Sequence, residues 1–191
     1  MSFLDRMAQM LGGEEHVDRF ARGEADFSDP NSRDLQGWNQ LVGEAPPEEL
    51  EASVAHAARQ VPPQDYDDHI TPGVGGTDPL GALGGGTLGA VAAALLGNLQ
   101  SGSRAGQDLR QVVPGLRSAD PRQMSPAEVA KLASYTRQHD PEAFGRAAAL
   151  VGRKEPGLLQ RLLGNKALLF AAAALATRYM NQRMGARGRA R

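Results

Sequence analysis

The chain has 191 residues, 41% hydrophobic and only 5% aromatic, with no cysteine. That is enough for one domain with a real core or for two small ones, and it excludes disulfides, thiolate nucleophiles and zinc–thiolate centres. The net charge of −1 combines unlike halves: residues 1–78 hold 16 acids and 5 bases, net −11, whereas residues 79–191 hold 6 acids and 16 bases, net +10.

Charge halves of this kind are expected either to face each other or to meet partners of opposite sign. With few aromatic and few β-branched residues, packing must rest on Ala, Leu, Val and Met, which favours helix against helix. The expected fold class is therefore mostly α. Two small helical subdomains are expected, with Ala/Gly-rich packing helices and a disordered basic C-terminus. The boundaries read as an acidic helical region at 1–78, a Gly/Ala-rich apolar segment at 79–103 and a polar connector at 104–124. A C-terminal helical region at 125–184 and a basic tail at 185–191 complete the chain.

The opening "MSFLDRMAQMLGG" reads as a short amphipathic helix with Phe3, Leu4, Met7, Met10 and Leu11 on one side, stopped by Gly12 and Gly13. Asp5 and the lack of a basic start argue against a secretory signal. A second short helix is expected in "EEHVDRFAR", then a loop in "GEADFSDPNSRD". In "LQGWNQLV", Leu35, Trp38, Leu41 and Val42 recur at helical spacing, with Trp38 as a core anchor.

Residues 46–60 predict a helix with Pro at its start, acids in its first turn and Arg59 near its end. Leu50, Val54, Ala57 and Val61 form its buried stripe. A shorter helix follows in "PPQDYDDHI". Asp65, Asp67, Asp68 and His69 cluster there, with Asp65 and His69 on one face at i, i+4. This is metal-ligand material, and a site would need a further ligand such as His139 with Asp140. The plainer reading, an acidic solvated helix end, is the one adopted, so no metal, cofactor or catalytic residue is assigned.

The stretch "GALGGGTLGAVAAALLGN" at 81–98 admits four readings. Residues 84–89 match G-x-G-x-x-G, but no strand precedes them and no lysine follows as in a P-loop. The part up to Gly86 has the composition of a loop, whereas "AVAAALLGNL" is strongly helical. The 25 uncharged residues from Pro79 to Ser103 would make a helix of about 37 Å, long enough for a bilayer core but poorly hydrophobic. The adopted reading is close packing. Gly81, Gly85, Gly89, Ala93 and Gly97 recur every fourth residue and form a small-residue face. Its partner is the Ala-rich face at 171–176 or a second copy of the same segment.

Beyond the connector, Ser125, Pro126 and Glu128 form a capping box. Asp140 and Pro141 repeat the device ahead of a stripe of Phe144, Ala147, Ala148 and Val151. "PGLLQRLLGNKALLFAAAALATRYMNQRM" predicts one long helix, whose apolar run 167–177 is too short to span a membrane. The segments 47–66 and 126–144 resemble each other, and each is followed by "LLGN", which suggests an internal duplication. From Arg178 onward the chain holds Arg178, Arg183, Arg187, Arg189 and Arg191 and no acid, a set suited to an anionic surface.

The sequence thus points to a non-enzymatic, cytoplasmic structural or interaction protein. It self-associates through Ala/Gly-rich helices, with an anionic membrane surface as a further partner. The alternatives are a sequence-independent nucleic-acid-binding accessory protein and, third, a metal-dependent enzyme using the acids near His69.

Overall fold

A computed structural model of the chain describes residues 19–27, 29, 31–70, 80, 81, 83–101 and 108–188, with the backbone alone at Gln40, Glu44 and 179–188. The expected helix at 1–13 and the basic residues Arg189 and Arg191 lie outside the described residues. The fold is mostly helical, and no strand occurs among the described residues.

A helical turn at 19–21 ends on Gly23, whose φ of 71° suits a residue without a side chain. Helix α1, Arg33–Glu44, begins where the Ser32 side chain accepts from the Leu35 N–H. Asp34 in its first turn is buried and accepts from Arg19 at 3.1 Å and from the Asp26 N–H at 2.9 Å. Those bonds tie the preceding loop to α1 and bring Phe27 edge-on to the buried Trp38, with ring centroids 6.3 Å apart.

Helix α2, Pro47–Gln60, starts on Pro46 and Pro47, and all four residues of its expected stripe are buried. Ser53, Ala55 and Ala58 are buried too, because α2 packs on three other helices rather than one. Helix α3, Pro63–Ile70, buries Tyr66 and Ile70. Helix α4, Gly85–Ser101, follows. Within the connector, Asp108 caps the single turn α5, Leu109–Val112, and Leu109, Val113 and Leu116 are buried.

Helix α6, Pro126–His139, carries the full capping box of Ser125 and Glu128. Helix α7, Pro141–Lys154, is capped by Asp140. Its expected stripe is buried, and so are Gly145, Ala149 and Gly152. The last helix, α8, Pro156–Gly188, departs from the single rod expected from its sequence. Gly164 adopts φ 74° and ψ 165° and breaks it. A Cβ there would lie 2.9 Å from the His69 ring, so glycine serves both the backbone turn and the close approach.

At the centre, α2 packs against α7 and α8, and α7 also contacts α4. The helices approach closely at Gly145, where a Cβ would come within 2.5 Å of the Glu51 carbonyl oxygen of α2. Buried residues from Phe20 to Ala176 form one continuous core, to which the connector's own apolar residues belong. The acidic and basic halves meet across this core through Asp65–Lys166 at 2.9 Å, Glu49–Arg178 at 2.9 Å and Arg59–Glu142.

Candidate self-association surface

Helix α4 owes its existence to one face. Four glycines, Gly85, Gly86, Gly89 and Gly97, cost roughly 3–4 kcal/mol of helix propensity against alanine. Leu88, Val91, Leu95, Leu96 and Leu99 are buried, and each contributes roughly 1.5–3 kcal/mol when removed from water. Burial wins, and it anchors α4 on α6 and α7. Asn98 adds a polar tie, donating to the Ala94 carbonyl at 2.8 Å and accepting from Arg146 Nε at 3.1 Å.

The opposite face of α4 is bare. Gly85, Gly86, Ala90, Ala93 and Gly97 are exposed and Gly89 is half-buried. A Cβ at Gly85, Gly86 or Gly97 would meet nothing within 4 Å, and at Gly89 it would meet only the Pro121 carbonyl oxygen at 3.5 Å. Among the described residues, the small-residue face therefore makes no close backbone contact. The expected packing on 171–176 is not formed: α4 and α8 make no substantial contact, and Ala171, Ala172 and Ala176 are buried in a core where α8 meets α2. Gly81 lies in an exposed turn ahead of α4, so it is not on the helical stripe.

Of the arginines expected to meet an anionic surface, Arg178 is paired with Glu49. Arg183 and Arg187 fall on the helical backbone of α8, and their side chains lie outside the described residues. The segment Pro156–Arg178 is long and apolar enough to cross a membrane by length and composition, and 56% of its apolar window is buried in the protein. Helix α4, at 17 residues, is about 25 Å long, short of a bilayer core of about 30 Å.

The acidic cluster on α3 is drawn into packing. His69 donates from Nε2 to the Arg161 carbonyl at 2.8 Å, satisfying the end of the first part of α8. Asp65, on the same face, pairs with Lys166 of α8, and Asp67 accepts from the Ser134 hydroxyl of α6. The His139 ring lies against Tyr135, tilted by 35° with centroids 4.3 Å apart. No group of metal-ligating residues converges among the described residues.

Two features were not legible in the sequence reading. One is an open cleft of about 820 Å³ between α3, the 112–115 turn and α6, in which Gln138 donates to Ser134 and Ser134 to Asp67. The other is buried Arg137, which donates to the Val61 carbonyl and lies over the Tyr66 ring at 4.7 Å. Burial pushes the Tyr66 hydroxyl well above the usual phenol range, against the opposing pull of Arg137. Apolar helical patterning around 137 was the one hint that this arginine faces inward.

No protein-family model, curated protein or solved structure matches the chain.

Proposed function

We propose that this chain is a non-enzymatic interaction protein that self-associates through the exposed face of α4. One observation carries the reading. The helix presents glycine and alanine to solvent along its length, without a charge, while its other face is fully engaged. A helix used only for intramolecular packing gains nothing from exposed glycines, and alanine at the same positions would favour the helix. Close approach by a second helix is what small exposed residues permit. The membrane-surface and nucleic-acid readings rest on the basic tail beyond Arg178.

Light scattering after size exclusion tests the proposal. The wild type should exceed the monomer mass in a concentration-dependent way, and Gly89→Leu should return it to the monomer. A wild type that stays monomeric throughout contradicts the reading.

The same reading takes the halves as copies of one unit of three helices. In its support, the pairs α2–α7, α2–α8 and α4–α7 become α6–α3, α6–α4 and α8–α3 when α2, α3 and α4 are exchanged for α6, α7 and α8, and all six contacts occur. The α7–α8 and α6–α7 contacts have no counterparts of similar extent between α3 and α4 or between α2 and α3. An experimental structure in which 47–98 fails to superpose on 126–165 would remove the duplication.

A further inference from the structure

Helix α4 is flanked by two depressions of different character. On one flank Leu150 projects from α7, 51% exposed. With Gly86, Ala90 and Leu158 it borders a groove of about 180 Å³ whose rim carries Lys154 and Glu155. On the other flank Gly85, Gly89 and Ala93 floor a wider hollow of about 560 Å³, rimmed by Asp120, Pro121 and Arg122. One flank thus offers a protruding aliphatic side chain, the other offers space, and the bare helix lies between them.

We infer that a second copy of this chain docks across α4 about a two-fold axis, Leu150 of each copy entering the hollow over Gly89 and Ala93 of the other. The inference rests on the self-association reading above and names its geometry. A two-fold operation brings each flank of one copy against the opposite flank of its partner, so one side chain and one hollow per copy complete two equivalent contacts. The charges agree with this arrangement. Each rim carries one cation and one anion, and none of the four makes an ion pair among the described residues. In the register that sets Lys154 against the partner's Asp120, Glu155 comes to the partner's Arg122. Such mixed rims do not fit a lipid headgroup layer or a nucleic-acid backbone, which would repel Asp120 and Glu155.

Sedimentation velocity over a range of concentrations reads the outcome, with circular dichroism confirming the fold of each variant. Leu150 is half exposed in the free chain, so Leu150→Asp should fold and should weaken association at least about tenfold. Lys154→Glu and Asp120→Lys should each weaken it severalfold. Combining the two substitutions should restore it to within about threefold of wild type, because the exchanged charges again oppose each other. If the wild type associates but Leu150→Asp and the charge variants associate equally well, the geometry is overturned and self-association stands. If the wild type is monomeric up to about 100 μM, both fall. Flotation of a monomeric wild type with phosphatidylcholine vesicles, lost in Leu150→Asp, would assign this surface to lipid and overturn the inference.

Discussion

An added methyl at Gly145 would lie 2.5 Å from the Glu51 carbonyl oxygen and 3.0 Å from the Ala55 Cβ. Backbone cannot yield as a flexible side chain can, so Gly145→Ala is expected to cost about 1–3 kcal/mol, measured by urea denaturation. At Gly164 the positive φ adds strain to the contact with His69, and Gly164→Ala should be at least as costly. Glu128 supplies a pH-dependent term. The Ser125 N–H, the largest cause, holds its carboxyl down to about 2 from 4.5 despite its burial, aided by the Ser125 hydroxyl and the Arg117 N–H. A depressed carboxylate stabilises the fold above its unfolded value and loses that contribution as pH falls through the folded one. Stability should therefore drop between about pH 4.5 and pH 2. Glu128→Gln should cost about 1–2 kcal/mol at neutral pH and flatten that part of the profile, which chemical denaturation across pH would show. The caps at Ser125 and Asp140 were legible because capping is local in sequence. Gly145 and His69 were not, because their partners, Glu51 and Arg161, arrive from distant parts of the chain.

At the scale of elements, the stripes of α2 and α7 were read correctly from apolar spacing, since a buried face repeats every three or four residues. Their additional buried positions were hidden because Ala, Ser and Gly carry no strong hydropathy signal. The same weakness left the partner of α4 open between the alanines of α8 and a second copy: small residues mark either close packing or empty space, and only tertiary structure separates them. In α4 they face solvent, while the close approach occurs at Gly145. A direct consequence follows for the free chain. Gly86→Ala and Gly97→Ala meet open space and should each raise stability by up to about 1 kcal/mol, read by urea denaturation at low protein concentration. Gly89→Ala, with one ordinary contact at 3.5 Å, should behave likewise. A loss of stability at these positions in the monomer would mean that α4 has an intramolecular neighbour. The kink in α8 was missed because "LLGN" sits inside a continuous apolar pattern, which gives no sign that Gly164 takes a left-handed conformation.

At the scale of the molecule, the opposed charge halves partly find each other inside the fold. The bridging pairs Asp65–Lys166, Glu49–Arg178 and Arg59–Glu142 are all solvent-accessible, so each contributes only about 0–1 kcal/mol. The continuous apolar core carries the fold. Raising salt from low concentration to about 1 M should screen these pairs and shift stability by no more than about 1–2 kcal/mol. Unfolding by salt would show that the halves are held electrostatically. Among the described side chains, the last buried one is Ala176. Removing 179–191 should therefore leave the melting transition nearly unchanged, and a large fall would place the tail within the core.

The central claim is that the bare face of α4 serves a contact between copies. Sedimentation equilibrium of the wild type beside Ala93→Arg tests it most directly, because Ala93 is exposed in the free chain and arginine is well tolerated in a helix. The expected result is a concentration-dependent rise in mass for the wild type and a monomer for Ala93→Arg, with equal helix content in both. Equal association of the two proteins, or a wild type that never associates, would contradict it.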